Sequence, residues 1–397
     1  MPTALVIGAG PAGVAAALAL RKIGYDVVVY EAHDRPGRTA GSYLTVASNG
    51  LSALRAVGAA AAVIDRSFPT PDTILWSGTG KRLARVSNGV LPDGTATRTI
   101  RRADLAAALT SALDVPVTYG RRLTALDLTD DGGGVVTAGF ADGGEARGDL
   151  LVGADGVHSA VRGLLDPAAP HARHVGLLNF GGYTAAGAGV PDVAPGCWNL
   201  VFGRRAFFGY CRDDVGGIVW FANVPSPRER PPAELNAWTS AEWRHHLVGL
   251  AVADRTPVAA LIEAGDLRYG PGNTYDLPST PIWRRGHAVL IGDGAHATSP
   301  SSGQGASMAF EDAVVLAQCL RDVPGVPDAL AAYERLRRAR VERVTAHAAR
   351  ISNAKAAGPV ARTLRDLLLP LVLRAAERGR SESWMHEHEI DWHAAVH

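Results

Sequence analysis

The chain begins with an apolar run, a small polar turn, a longer apolar run and a second short apolar run. Residues 4–7 are uninterrupted apolar positions, as in a buried parallel strand, and residues 14–23 form an Ala-rich stretch suited to a helix. Residues 27–30 are mostly β-branched and predict a second strand. The succession of strand, helix and strand predicts a Rossmann-like α/β unit.

Glycines dominate the turn between the first strand and the helix, which contains Gly8, Gly10, Pro11, Ala12 and Gly13. Gly8 permits a tight turn, Gly10 lets a pyrophosphate approach the backbone, and Gly13 lets the helix pack closely on the strand. The helix N-terminus offers free N–H groups and the positive end of its dipole to the phosphates. Glu31 closes the second strand, where its carboxylate can accept hydrogen bonds from a ribose. These features predict dinucleotide binding without separating FAD from NAD.

The pattern then changes character and later returns. Residues 71–97 alternate as β-hairpins do, and residues 176–270 are rich in aromatic and β-branched positions, which predicts an antiparallel sheet. Residues 288–291 again form a buried apolar run, followed by a turn and a helix over 303–320. We therefore expect a discontinuous nucleotide-binding domain (1–70, 98–175 and 271–355), an inserted substrate domain (71–97 and 176–270) and a helical C-terminal tail (356–397).

Composition narrows the functional classes. Hydrophobic residues make up 47% of the chain, which excludes a disordered protein. The 40 basic and 39 acidic residues nearly balance, so the chain lacks the excess of positive charge that is typical of a nucleic-acid binder. The cysteines, Cys197, Cys211 and Cys319, form no close pair, which argues against a disulfide framework or thiol-redox chemistry. No apolar run has the length of a membrane helix, and the start lacks the basic region of a signal peptide, so we expect a cytoplasmic protein.

Two later motifs carry a family resemblance. A strand over 149–152 leads into Gly-Ala-Asp-Gly at 153–156, and the segment 289–305 reads Val-Leu-Ile-Gly-Asp-Gly-Ala-His-Ala-Thr-Ser-Pro-Ser-Ser-Gly-Gln-Gly before Glu311 and Asp312. With the first glycine turn, these motifs occur in the order and spacing of single-component FAD-dependent aromatic hydroxylases, the p-hydroxybenzoate hydroxylase and salicylate hydroxylase type. The sequence resembles that family over about 310 residues.

The resemblance implies bound FAD and a set of residues around it. Asp293 would accept hydrogen bonds from a ribityl hydroxyl, and the helix after Gly305 would stabilise negative charge on the reduced ring. Asn49 is expected near the nucleotide cleft. The predicted cofactor residues beyond the first turn and Glu31 are Arg38, Arg102, Asp155, Gly292, Asp293, Pro300, Gly303, Gly305 and Ala306.

The family chemistry would transfer a hydride from NADH or NADPH to the flavin and form a flavin C4a-hydroperoxide with O₂. One oxygen atom would then enter an aromatic or polyketide-like substrate in a pocket that excludes water. A single glycine fingerprint fits a nicotinamide co-substrate that binds only transiently. Epoxidation, Baeyer–Villiger oxidation and dehydrogenation stay open on the same fold, as does an FAD-containing binding protein without redox activity.

Candidate catalytic residues are His296, as a base or substrate contact, and Tyr210, as a hydrogen-bond partner of a phenol. Because no buried arginine stands out for a carboxylate, a neutral and larger substrate is favoured. The tail histidines at His386 and His388 do not predict a metal site, since a metal needs converging ligands. We expect a monomer or homodimer.

Overall fold

The computed structural model describes residues 1–34, 42–128, 134–188, 192–299, 302–355 and 383–396. Within these ranges, no helix is long and apolar enough to cross a membrane. The cysteines Cys197, Cys211 and Cys319 are buried and free.

Strands and helices alternate first and then give way to a long run of strands. The strands are β1 (Thr3–Ile7), β2 (Asp26–Tyr30), β3 (Tyr43–Val46), β4 (Phe68–Pro69), β5 (Asp72–Ser77), β6 (Arg82–Ser87), β7 (Arg98–Arg101), β8 (Val117–Thr118), β9 (Leu123–Asp127), β10 (Val136–Phe140), β11 (Glu145–Gly148), β12 (Leu150–Gly153), β13 (Arg173–Thr184), β14 (Cys197–Phe202), β15 (Phe207–Arg212), β16 (Ile218–Pro225), β17 (Asp266–Asp276), β18 (Arg284–Arg285) and β19 (Ala288–Leu290). The helices are α1 (Pro11–Lys22), α2 (Ser48–Ala56), α3 (Ala60–Ile64), α4 (Arg102–Ser111), α5 (Ala160–Leu165), α6 (Pro232–Leu235), α7 (Ser240–Ala251), α8 (Val258–Glu263), α9 (Asp293–His296), α10 (Gly305–Asp322), α11 (Val326–Lys355) and α12 (Ser383–His386).

The predicted Rossmann-like unit is a six-stranded sheet in the order β18-β19-β12-β1-β2-β8. Its pairs are parallel except for the β18–β19 edge. The apolar runs of the sequence form its buried centre, because a parallel sheet is covered on both faces. Helices α1 and α10 pack against each other beside this sheet. The glycine turn and the turn after β19 therefore open at the same edge.

The inserted region forms a seven-stranded sheet in the order β17-β13-β16-β15-β14-β5-β6. The pairs are antiparallel except β14–β5. The strands of this sheet come from two separate segments of the chain, β5–β6 and β13–β17. One face is covered by α7 and α8. The other packs on the small sheet β3-β7-β4, where Trp198 Nε1 donates to Thr99 Oγ1 at 2.8 Å.

Local differences from the sequence prediction concern helix ends and tertiary partners. The helices α6 to α8 interrupt the region expected to be all sheet, and α7 begins with a capping box between Thr239 and Glu242. Helix α2 starts at Ser48, whose side chain donates to the carbonyl of His386 instead of capping its own helix. The described end of the tail has only the single helical turn of α12, and residues 356–382 lie outside the described chain.

Candidate functional site

The glycine turn has the geometry of an anion cradle. Gly8 has a φ of +105° and donates its N–H to the Tyr30 carbonyl at 2.7 Å. A Cβ on Gly13 would lie 1.9 Å from the Gly8 carbonyl oxygen, so only glycine fits there. Helix α1 starts at Pro11 with no side-chain cap and no acidic residue in its first turn. Its N–H groups and positive dipole end are therefore available to a phosphate.

Glu31 lies against this turn rather than apart from it. One carboxylate oxygen accepts the Ala9 N–H at 2.9 Å, and the other accepts the His33 N–H at 3.0 Å. Each oxygen keeps a further lone pair, so these contacts orient the carboxylate without exhausting it. The predicted contact with a ribose remains compatible with this position.

Asp155 has a local partner set that the sequence did not reveal. Its carboxylate accepts the N–H groups of Ala160 and Val161 at 2.7 and 3.1 Å and the hydroxyl of Ser159. Burial raises its pKa, against the effect of these hydrogen bonds. The side chain thus caps α5, and its predicted proximity to a pyrophosphate stays a prediction.

Asp293 stands where the sequence placed it, just after β19 and the left-handed Gly292. Its side chain reaches open space, and among the described residues its carboxylate accepts no hydrogen bond. Desolvation by the protein atoms around the carboxylate raises the pKa of Asp293. The charges of His296 and Arg102 lower this pKa. Arg102 is likewise exposed, at the start of α4. The structure therefore places Arg102 close enough to Asp293 for its charge to lower the pKa of the carboxylate.

The N-terminus of α10 also lies near Asp293. A Cβ on Gly305 would lie 3.9 Å from Asp293 Oδ1, and the helix has no side-chain cap. Gly303 has a φ of +63°, and its carbonyl accepts the Thr45 hydroxyl at 3.3 Å. Ala306 lies in the first turn of α10. The predicted residues Arg38 and Pro300 lie outside the described part of the chain.

His296 is buried and paired instead of facing open space. Its Nε2 lies 2.5 Å from Asp312 Oδ2, and its ring packs on Trp283 at 5.6 Å between centroids. The Asp312 oxygen also accepts the Gly292 N–H at 2.9 Å. This placement favours a role in holding the turn before Asp293, and it does not support direct contact with a substrate.

A buried charge cluster under α10 was missed by the sequence analysis. Arg337 donates from Nε to Asp312 and from Nη1 to Glu311, each at 2.7 Å. Arg340 donates to both oxygens of Glu311, at 2.7 and 2.8 Å. Burial alone would raise the pKa of Glu311, but Arg337 and Arg340 hold it at about 2. The signal in the sequence was an acidic pair inside an otherwise apolar helix, which requires cationic partners on a neighbouring helix.

Tyr210 lies on the face of the large sheet that α7 and α8 cover. Its ring packs with Phe208 and Trp220, and burial raises its pKa to about 12. Side chains alternate along a strand, so Cys211 points to the opposite face. That opposite face meets the β3-β7-β4 sheet, from which the chain continues directly into Arg102. The predicted hydrogen bond from Tyr210 to a phenol is not supported by this placement.

The opposite face carries aromatic and aliphatic side chains, with charged groups at its edge. Tyr43, Tyr183, Leu200 and Phe221 are partly buried around Trp198. The hydroxyl of Tyr183 donates to Asp213 at 2.7 Å, which raises the pKa of Tyr183 together with burial. Near this pair, a cleft of about 170 Å³ is lined by residues that include Tyr43 and Asp213.

The residues present fit FAD. The α1 turn provides a cradle that a side chain would fill, and the α10 N-terminus provides a second uncapped helix end beside the unpartnered carboxylate of Asp293. One helix end suits a pyrophosphate, and the other suits the negative charge of a reduced flavin ring.

Comparison with known proteins gives the same result. The model of the FAD binding domain family matches residues 1–205 and 278–348. The FAD-dependent urate hydroxylase of Klebsiella pneumoniae is 32% identical over 353 residues, covering 85% of this chain and 86% of that protein. The 6-hydroxynicotinate 3-monooxygenase of Pseudomonas fluorescens is 32% identical over 339 residues, covering 81% and 83%.

The fold is also similar to that of a solved relative. The structure of Klebsiella pneumoniae HpxO with FAD and uric acid superposes with a TM-score of 0.82 at 26% identity, covering 97% of each chain. The cradle, the two helix ends and these likenesses agree on one class of protein. The chain belongs to the family of single-component FAD-dependent aromatic hydroxylases, and it is an FAD-binding oxidoreductase.

Proposed function

We propose that this protein takes electrons from NADH or NADPH and inserts one oxygen atom of O₂ into a neutral, apolar aromatic or polyketide-like molecule. The observation that carries the proposal is that the uncapped N-terminus of α10 and the charge of Arg102 both lie near the carboxylate of Asp293, in a fold whose large sheet carries an aromatic face. The domain division predicted from the sequence is part of this proposal, with residues 71–97 and 176–270 forming the substrate domain.

Bound FAD supplies hydride acceptance from the nicotinamide and, once reduced, activation of O₂. The chain's part is to bind and orient it. The α1 turn takes the pyrophosphate, Glu31 takes a ribose hydroxyl, and Asp293 takes a ribityl hydroxyl. The N–H groups at the start of α10 stabilise the negative charge of the reduced ring because the dipole of an 18-residue helix ends there.

The face of the large sheet opposite α7 and α8, called the substrate face here, supports a neutral substrate. Arg173 and Arg212, the arginines of β13 and β15, are paired with Asp276 and Asp192 at 2.7 and 2.8 Å. Strands β14 and β16 contain no basic residue. On these four strands a carboxylate would therefore meet only arginines that are already paired, although Arg268 of β17 lies over the Tyr183 ring at 4.6 Å. The aromatic side chains offer an apolar, water-excluding surface.

An amide pair gives this face a specific polar contact. Asn223 Nδ2 donates to Asn179 Oδ1 at 3.0 Å, which fixes the orientation of the Asn179 amide. Asn179 is partly exposed, and its own amide nitrogen donates to no described residue. By strand alternation, Asn179 shares a face with Tyr183. The amide is placed to donate to a carbonyl or hydroxyl oxygen of a neutral ring.

The proposal is tested with the purified protein loaded with FAD. NADH and NADPH oxidation is followed with neutral ring compounds such as naphthols and hydroxyquinolines, and with matched carboxylates such as salicylate. We expect neutral compounds to accelerate oxidation and to be converted to products with one added oxygen atom. Acceleration by carboxylates only would contradict the neutral-substrate assignment. FAD retention without nicotinamide oxidation under any compound would favour a binding protein.

A further inference from the structure

The C-terminal segment, defined here as residues 383–396, is fastened along α10. At one end, Gln318 donates to the Asp391 carbonyl at 2.7 Å, and Arg321 donates to the Trp392 carbonyl at 2.6 Å. The Trp392 ring lies under both Arg321 and Lys22. At the other end, Arg340 donates to the carbonyls of Trp384 and Met385. The segment therefore reaches from the last turn of α10 back to its first.

His386 makes the contact at the first turn of α10. It is buried, with 8% of its surface exposed, and its Nδ1 accepts Gln304 Nε2 at 2.9 Å. Its carbonyl accepts the Ser48 hydroxyl at 2.6 Å. A Cβ on Gly89 would lie 2.4 Å from the His386 Cβ, so the neighbouring loop is shaped around this residue. Contacts with Gln304, Ser48 and Gly89 thus fix the position of His386.

Gln304 connects this contact to the cofactor cleft. It is the N-cap residue of α10, its side chain is fully buried, and it stands between Gly303 and Gly305. Its Oε1 accepts Asn49 Nδ2 at 3.0 Å, and the same Asn49 nitrogen donates to Glu311 at 2.7 Å. The Asn49 nitrogen donates to two acceptors, and the Gln304 nitrogen donates to His386, so the Gln304 amide has a single satisfied orientation.

We infer that the C-terminal segment is a positioning element of the flavin site, acting through His386 on Gln304. The Gln304 side chain points into the protein while its backbone forms the helix end beside Asp293. Without an acceptor at His386, the Gln304 Nε2 would be a buried donor with an unmet hydrogen bond, and the residue would rotate or shift to satisfy it. The helix end would then move relative to the flavin ring. The inference rests on the proposed placement of that ring beside Gly303 and Gly305.

The test compares three full-length variants with the parent. His386→Leu removes the acceptor, and His386→Gln restores one through its amide oxygen. Trp392→Leu is the matched control, because it weakens the docking of the same segment at the opposite end of α10. The measurements are the dissociation constant of FAD in titrations of apo-protein, the visible flavin spectrum and the midpoint potential of the bound flavin, with circular dichroism as a check of folding.

We expect His386→Leu to raise the FAD dissociation constant about tenfold, as for loss of one buried hydrogen bond, and to shift the flavin potential to more negative values. The potential falls because a displaced helix end stabilises reduced flavin less. His386→Gln should recover both values, and Trp392→Leu should leave both near those of the parent. Equal effects of His386→Leu and Trp392→Leu, or no effect of His386→Leu, would overturn the inference. A parent that binds no FAD would instead refute the proposed flavin site.

Discussion

Replacing Arg337 by Met isolates the energetic role of the buried charge cluster. The cluster has two carboxylates, Glu311 and Asp312, and two guanidinium groups, Arg337 and Arg340. Arg337→Met leaves Arg340 as the partner of Glu311 and His296 as the partner of Asp312, so the two fully buried carboxylates lose one permanent positive charge. Removing one partner of a buried ion pair costs about 3–5 kcal/mol. That is roughly a hundredfold or more in the unfolding equilibrium constant.

The assay is urea unfolding of the FAD-saturated protein at neutral pH, followed by tryptophan fluorescence and linear extrapolation. The control is Arg228→Met, which removes an ion pair to Glu234 in which both side chains are solvent-exposed, and which should therefore cost little stability. The double variant Glu311→Gln with Arg337→Met restores charge balance and should recover part of the loss. If Arg337→Met costs no more than Arg228→Met, the reasoning about uncompensated buried charge is wrong.

The remaining predictions concern the glycine turn, acid stability and the sheet faces. Gly13→Ala should destabilise apo-protein by about 1–3 kcal/mol because its Cβ meets backbone, whereas Gly10→Ala should leave apo-protein stability intact and weaken FAD binding; thermal unfolding and FAD titration distinguish them. Because the pKa of Glu311 is lowered from 4.5 to about 2, its contribution to stability should be complete above about pH 5 and be lost as the pH drops from 4.5 towards 2, measured by urea midpoints. Phe221→Ala should raise the KM for a neutral aromatic substrate about tenfold, while Tyr210→Phe leaves KM unchanged; the reverse result would place the substrate on the other face.

The features of the fold that depend on a short stretch of sequence were predictable from that sequence. A glycine turn between a strand and a helix is typical of dinucleotide binding. Gly8 has the left-handed conformation and Gly13 the close backbone contact that such a turn requires. Asp293 was also predictable, since a polar residue directly after a buried parallel strand lies at the binding edge of the sheet. The family resemblance, confirmed by the comparisons, rests on these same positions.

The surroundings of Tyr210 and His296 depend on tertiary packing. Strand alternation divides β15 into two faces, but only the position of α7 and α8 decides which face is covered, and the pattern over residues 176–270 did not predict those helices. The sequence could therefore not show that Tyr210 is buried under these helices, and its contact with a substrate stays a prediction. His296 has its partner, Asp312, on a different helix, and the pairing becomes visible only when α10 folds back on the turn after β19.

The buried cluster and the C-terminal segment illustrate the same limit over longer separations. Arg337 of α11 donates to Glu311 of α10. His386, which hydrogen-bonds Gln304, belongs to a segment that begins more than sixty residues after the end of α10. Local propensity contains no information on such contacts. The sequence does predict that cationic partners exist, because two adjacent acidic residues within a largely apolar helix need positive charges nearby when they are buried.

The central claim, oxygen insertion by a flavin-dependent enzyme, is tested most directly by isotopically labelled dioxygen. FAD-loaded protein is incubated with NADH or NADPH and a neutral aromatic compound that accelerates nicotinamide oxidation, and the product is analysed by mass spectrometry. We expect a product that carries one labelled oxygen atom per molecule. A product that forms without labelled oxygen, or nicotinamide oxidation that yields only hydrogen peroxide with every compound, would contradict it.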